Sequence, residues 1–326
     1  MMTITAAIDK FNPDMAVISR AAEVIKSGGL VAFPTETVYG LGADALNPEA
    51  VKKIFTAKGR PSDNPLILHV SSVSEASRIV EMNDKALNLA ATFWPAPLTI
   101  VLPAKNEIPL ITRGGLSTAA VRMPDNPVAL SLIKAAGTPI AAPSANISGH
   151  PSPTDFESVY HDMNGKIDFI LDGGSVKVGI ESTVIDMTNP ERALMLRPGG
   201  MPRELIEDVL KMRLEVPDFN SSKRSPGTRY KHYSPDIPVI IWHRGNRLPD
   251  NINPETSAYM GLDDPENFKT AGKILFSSVS DYARGLFSWF RKFEKGNFQC
   301  VIVQWPEDNS GLSEGLKDRI SRAAGK

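Results

Sequence analysis

The stretch Leu30-Val31-Ala32-Phe33-Pro34-Thr35-Glu36-Thr37-Val38-Tyr39-Gly40-Leu41-Gly42, followed by Asn47-Pro48, Lys58-Gly59-Arg60-Pro61 and Asn64-Pro65-Leu66-Ile67-Leu68-His69-Val70, reads as strand, helix, strand. Residues 30–33 are a short apolar run of the kind that forms a buried strand. Asn47 before Pro48 is a side-chain cap with proline at the first helical position, opening a helix through about Ala57. Residues 66–70 return as a strand. Hydroxyls, an amide and two close cations thus gather at strand ends and loops, where binding chemistry usually sits. The stretch looks like a phosphate-handling site, yet it holds no G-x-x-x-x-G-K-[ST] loop.

The same pattern extends in both directions. A helical spacing over residues 16–25 ends at Gly28-Gly29. Asn83 caps a helix to about Phe93, and residues 98–102 and 119–123 read as strands. Asn126-Pro127 opens a helix that Gly137 closes, before a strand at 139–142. A helix near 154–161, strands at 169–171, 183–187 and 193–196, and a helix from about 202 to 212 complete the series. Alternating strands and helices predict an α/β domain over residues 1–212. Strands separated only by loops argue for a mixed sheet. Residues 216–238 then hold prolines, serines and the cations Lys223, Arg224, Arg229 and Lys231, so 213–237 reads as a linker. Tyr230 and Tyr233 within it are more than a passive tether needs. Strands at 239–242, 274–276 and 300–303, with helices near 281–294 and 312–324, predict a smaller α/β unit over 238–326.

Bulk composition limits the function classes. The 326 residues carry 36 Lys+Arg against 37 Asp+Glu, a net charge of −1, so no global attraction to nucleic acid follows. A local patch making a weak RNA contact stays compatible with it. The single cysteine, Cys300, excludes an intrachain disulfide and a cysteine-based zinc cluster, and its apolar run argues for a buried structural thiol. No run approaches the ~18 apolar residues of a membrane span, and residues 1–10 lack the apolar core of a signal peptide. The expected location is cytoplasmic.

Each candidate residue has a plainer alternative. Lys58 and Arg60, two apart in extended backbone, would form a two-cation clamp suited to polyphosphate; cations at a solvated helix C-terminus are the alternative. Thr35, Glu36 and Thr37 offer hydroxyls to a ligand or to a helix cap. Gly40 and Gly42 suggest close backbone approach. Ser144 and Asn146 in Pro143-Ser144-Ala145-Asn146 aim a hydroxyl and an amide at one ligand, or simply form a turn. Ser144 does not stand in a Gly-x-Ser-x-Gly, so its segment gives an esterase little support. Arg122, a charge inside an apolar strand, needs a partner: a ligand carboxylate or an internal Asp or Glu. Residues 179–183 and 196–200 add Ser182 and Arg197 beside glycines. The inventory has cations and neutral polar groups but no obvious covalent nucleophile, which fits catalysis by positioning and charge stabilisation.

In order, Phe33–Leu41, Lys58-Gly59-Arg60-Pro61, Asn64-Pro65-Leu66, Ala120-Val121-Arg122-Met123-Pro124, Ala142-Pro143-Ser144-Ala145-Asn146, Glu181-Ser182-Thr183 and Leu196-Arg197-Pro198-Gly199 resemble the YrdC-like threonylcarbamoyl-AMP synthase family. Ser225-Pro226-Gly227-Thr228-Arg229-Tyr230-Lys231-His232-Tyr233-Ser234-Pro235 resembles the signature of its long, two-domain form, with Thr228 where methionine is commoner. The chain also stops soon after Arg319-Ile320-Ser321-Arg322-Ala323-Ala324, so a somewhat truncated small domain is expected.

The resemblance implies a twisted mixed-sheet YrdC-like domain with a cavity and a smaller Rossmann-like α/β domain. It implies a nucleotidyltransferase that joins L-threonine, bicarbonate (or CO2) and ATP into L-threonylcarbamoyladenylate, releasing pyrophosphate. A separate tRNA threonylcarbamoyl transferase would consume the product. Mg2+ would arrive with ATP, and no protein metal site is expected. By the same resemblance Thr35, His69, Arg122 and Ser182 contact threonine. Lys58, Arg60, Ser144, Asn146 and Arg197 hold ATP, with Lys58 and Arg60 acting catalytically. Thr118 lines the pocket between the substrates, and Tyr233 closes over it on the ATP side. Two other readings stay open: an RNA-binding module, and a carbamoyl-transfer enzyme using carbamoyl phosphate.

Overall fold

The computed structural model describes residues 2–217, 233–266 and 268–325. Residues 225–232 of the linker motif, Tyr230 among them, lie outside the described residues. Ten strands form one sheet in the order β1-β8-β2-β3-β7-β4-β6-β5-β9-β10. Their ranges are β1 Ile4–Ala7, β2 Val31–Phe33, β3 Gly40–Asp44, β4 Ile67–His69, β5 Leu98–Pro103, β6 Thr118–Arg122, β7 Ile140–Ala141, β8 Phe169–Asp172, β9 Thr183–Asn189 and β10 Arg192–Arg197. The sheet is mixed: β4 runs parallel to β6, while β7 is antiparallel to β4 and β5 antiparallel to β6.

Local chemistry sets the helices. In α2, Pro48–Lys58, Asn47 accepts from the Glu49 and Ala50 amides, and Gly59 ends the helix at φ +61. In the helix Pro127–Ala136, Asn126 caps in the same way and Gly137 closes at φ +68. The expected helix near 154–161 begins one turn-position later, at Phe156, because Asp155 rather than Thr154 supplies the cap.

Three elements of this domain do not follow from periodicity. Strand β1 is short and mostly exposed. The helix Val73–Ile79 is only seven residues long. Strand β3 carries Gly40 and Gly42, residues that ordinarily weaken a strand. Packing requires them: a Cβ on Gly42 would stand 2.7 Å from Ile140 Cγ2 and 2.8 Å from the Phe33 ring. The glycines let β3 lie flat beneath Phe33.

The small domain is a four-stranded, wholly parallel sheet in the order β11-β14-β12-β13, with β11 Val239–Trp242, β12 Ala258–Gly261, β13 Gly272–Leu275 and β14 Val301–Gln304. Strand β12 was not expected from the sequence, since Tyr259-Met260 is its only strongly apolar pair and Gly261 ends it. The helices Val279–Lys295 and Ser313–Ala323 cover the sheet with Tyr282, Leu286, Phe287, Phe290, Leu316 and Ile320, all fully buried. Among the described residues no helix is long and apolar enough to cross a membrane. Cys300 is buried, 3.1 Å from Ser257 Oγ.

The domains meet backbone to backbone. A Cβ on Gly179 would stand 2.2 Å from Arg284 Cα, and one on Gly315 would stand 2.9 Å from Gly199 Cα. Arg291 grips Asp162 with two nitrogens, at 2.9 and 2.7 Å. Arg203 meets Glu314 at 2.5 Å.

Candidate active site

A cavity of about 640 Å3 opens on the large domain. Its walls include Thr35, Arg60, His69, Arg122, Ser144, Asn146, Ser182, Arg197 and Tyr233, side chains from widely separated parts of the sequence. The sheet explains their convergence. His69 and Arg122 are register partners at the carboxyl ends of parallel β4 and β6. Ser182 precedes β9, and Arg197 ends its antiparallel neighbour β10. Ser144 follows β7 and bridges to Gly40. Because β7 runs against β4, its exit lies at the opposite edge from His69. The cavity therefore spans the sheet from an Arg122–His69–Ser182–Arg197 edge to a Ser144–Asn146–Arg60 edge.

Arg122 finds its partner inside the protein. Its Nη2 lies 2.6 Å from Glu36 Oε2 and donates to Thr37 Oγ1 at 3.0 Å. Both members of the ion pair are buried. Of the two partners open to Arg122, the internal carboxylate is present, and the guanidinium still faces the cavity. Thr35 Oγ1 donates to the Val38 carbonyl at 2.7 Å and accepts from the Thr37 and Val38 amides, so its hydroxyl also holds the turn that carries Glu36. Burial, and then the neighbouring Arg122 guanidinium, push His69 down to about 3. Its ring is neutral at ordinary pH. Its Nδ1 is buried with no hydrogen-bond partner among the described residues, a group that a ligand would satisfy.

At the other edge the two-cation clamp takes a different form. Gly59 is left-handed, so Lys58 and Arg60 are not alternate residues of an extended strand. Lys58 is 2 % exposed and does not line the cavity. Its Nζ donates to the Ser144 carbonyl at 2.6 Å and the Asn146 carbonyl at 2.5 Å. Burial, with the adjacent Arg60 charge, lowers its pKa well below the usual ammonium range. Lys58 thus braces the Ser144–Asn146 turn from behind, while Arg60 forms the wall, its Nη2 donating to the Pro65 carbonyl at 3.3 Å. Ser144 Oγ in turn donates to Asn146 Oδ1 at 2.5 Å, and Asn146 Nδ2 donates to the Ile147 and His150 carbonyls.

Ser182 and Arg197, expected on different substrates, touch one another: Arg197 Nη2 donates to the Ser182 carbonyl at 2.9 Å and to its Oγ at 3.2 Å. Thr118 is absent from the cavity wall. It opens β6 opposite Pro103, four residues before Arg122 on the same face of the strand. Tyr233 is buried, with φ +69, and lines the cavity.

Both domains match known families. Residues 23–199 match the Sua5_yciO_yrdC family, described as "Telomere recombination", and residues 201–325 match "Threonylcarbamoyl-AMP synthase, C-terminal domain". The threonylcarbamoyl-AMP synthase of Pyrococcus abyssi is 42% identical over 321 residues, 94% of this chain and 93% of the relative. The chain belongs to the two-domain threonylcarbamoyl-AMP synthase family. The Bacillus subtilis member is 39% identical, over 97% of this chain and 95% of its own length. A crystal structure of P. abyssi Sua5 complexed with L-threonine superposes with a TM-score of 0.91 at 39% identity, covering 99% of this chain and 98% of the other.

Two residues of the site escaped sequence reasoning. Glu36 was visible in its motif but not as the partner of Arg122, because three strands separate β2 from β6. Glu181 lines the cavity, accepting from Ser152 Oγ at 2.5 Å. Burial raises its pKa, but Arg319 and Arg197 outweigh that and hold it below the usual carboxylate range.

Proposed function

We propose that this chain is an L-threonylcarbamoyladenylate synthase, and that its cavity holds both halves of the reaction. Threonine's neutral amine adds to CO2 with loss of a proton, or to bicarbonate with loss of water, to give a carbamate. A carbamate oxygen then attacks the α-phosphorus of ATP, and the bond to the β-phosphate bridging oxygen breaks, releasing pyrophosphate. The adenylate passes to a tRNA threonylcarbamoyl transferase.

The observation that carries the reading is the convergence of Thr35, His69, Arg122, Ser144, Asn146, Ser182 and Arg197 on one cavity in a chain of this family. The relative solved with L-threonine supports the amino-acid half. Arg122 and the unpartnered Nδ1 of neutral His69 suit a zwitterionic amino acid, and a neutral imidazole leaves the amine free of a competing cation. Arg60 and Arg197 offset charge as it builds on the leaving pyrophosphate, with Ser144 and Asn146 orienting the nucleotide. Lys58 acts one step back, by fixing the Ser144–Asn146 turn.

Among the described residues no group of three or more His, Cys, Asp or Glu side chains could hold a metal ion. Mg2+ is proposed as a companion of ATP, carried on its phosphates.

The test is pyrophosphate release by the full chain. The reading requires release that depends on threonine, bicarbonate and ATP together. Release that ignores threonine, or that carbamoyl phosphate supports in place of bicarbonate, would overturn it.

A further inference from the structure

Directly behind the cavity wall the small domain places Arg319. Arg319 lies on the inner stripe of the helix Ser313–Ala323, in line with Leu316, Ile320 and Ala323, and is wholly buried. Its Nε meets Glu181 Oε2 at 2.6 Å. Its Nη1 donates to the Pro198 carbonyl at 3.1 Å and also to the adjacent Asp318 carboxylate. Its guanidinium carbon stands 5.2 Å from the centre of the Tyr233 ring, which also stacks on Phe287 at 5.4 Å. Glu181 and Tyr233 line the cavity, and Pro198 follows Arg197, which lines it too.

Docking of the domains rests on other contacts besides this one. The helix is already seated by the Gly315–Gly199 approach and by the Arg203–Glu314 pair. A buried ion pair is a weak source of stability, since desolvation offsets most of the attraction. What a planar guanidinium supplies is geometry, several donors and a flat face in one rigid group.

We propose that Arg319 is a positioning residue of this cavity: it fixes Glu181, the Arg197–Pro198 turn and the Tyr233 ring relative to one another, so that the small domain backs the wall of the site. Arg197 and Ser182 are held through this frame, and Tyr233 lies against it as a fixed cover. The inference deepens the proposed synthase reading and rests on it for the choice of assay. A misplacement of about 1 Å at a reacting group costs roughly 10²-fold in rate, so loss of the frame should be visible in turnover.

The experiment compares Arg319→Met, Arg319→Lys and Arg203→Met in the full chain. Thermal unfolding, threonine- and ATP-dependent kcat and KM, and hydrogen exchange at residues 180–184 and 233–237 are measured for each. Arg319→Met should lower kcat/KM by roughly 10²-fold and speed exchange in both segments. Arg319→Lys, which keeps the charge beside Glu181 without the fork, should recover the unfolding midpoint but only part of the rate. Arg203→Met should shift the midpoint alone. Wild-type kinetics and wild-type exchange in Arg319→Met would overturn the proposal, as would matching losses in Arg203→Met. If the parent chain makes no adenylate, the synthase reading fails by itself. Exchange then decides about Arg319: faster exchange confined to its variant supports the positioning role, and no difference from Arg203→Met sinks it.

Discussion

The two sheets of this molecule are both covered by helices, yet the cavity that gathers Arg60, His69, Arg122 and Arg197 opens on the large one. In the small domain the crevice at the carboxyl ends of the parallel strands, the usual place for a ligand in such sheets, is filled by Gln304. Its Oε1 accepts from the Leu262 and Asp263 amides at 2.7 and 2.9 Å, and its Nε2 donates to Asp263 Oδ2. In the large domain the antiparallel insertion of β7 between β3 and β4 sends neighbouring chain exits to opposite edges. The face between them stays open and is lined by charge. Fold class alone would assign a site to either sheet; the satisfied Gln304 amide and the unpartnered His69 Nδ1 distinguish these two crevices.

The largest effect that sharpens this contrast is expected at Arg122. Arg122→Met leaves Glu36 buried and uncompensated, at a cost of about 3–5 kcal/mol in denaturant unfolding. Adding Glu36→Leu should restore most of that stability without restoring synthesis. Recovery of both would show that the pair is only structural.

Lys58→Met should come next. It strips the Nζ donor from the Ser144 and Asn146 carbonyls, leaving acceptors unpaired at a loss of about 1–3 kcal/mol each. Synthesis should fall with stability, because the turn that carries Ser144 and Asn146 relaxes. Full stability with lost activity would return Lys58 to direct contact with the phosphates.

In the small sheet, Gln304→Leu should cost about 1–3 kcal/mol, by leaving the Leu262 and Asp263 amides unpaired. Its synthesis rate should equal that of the parent. A specific loss of ATP use would reveal a second site and break the comparison.

The smallest expected effect is a slope. An unfolded histidine titrates near 6.5, while folded His69 stays neutral down to about 3. Below 6.5 the unfolded chain binds a proton that the folded chain refuses. Stability is therefore present above that pH and falls as pH drops toward 3, by up to about 1.4 kcal/mol per pH unit. His69→Gln should flatten the curve between about pH 6.5 and 5, read by urea unfolding at each pH. An unchanged slope would show that His69 is open to protonation.

Much of this was legible in the sequence, for local reasons. Asn47-Pro48 and Asn126-Pro127 announce helix starts, Gly59 and Gly137 announce ends, and the apolar runs between them give most strands. The site residues were legible as motifs at strand ends. Their wiring was not. Lys58 and Arg60 looked equivalent until a left-handed Gly59 turned one inward. The Glu36–Arg122 pair depends on strand order, which no local pattern encodes.

Arg319 did leave a trace. It is a cation at the spacing of Leu316, Ile320 and Ala323 on an otherwise apolar helical stripe, where a charge must have a buried partner. That partner, Glu181, lies in the other domain. Tyr259-Met260, with too few apolar neighbours to read as a strand, gained its place only from pairing with β13 and β14.

The most direct test of the central claim is incorporation of radiolabelled bicarbonate by the full chain. Label should enter an adenylate only when threonine and ATP are both present, with one pyrophosphate released per label bound. Incorporation without threonine, or pyrophosphate release without incorporation, would contradict the two-substrate cavity.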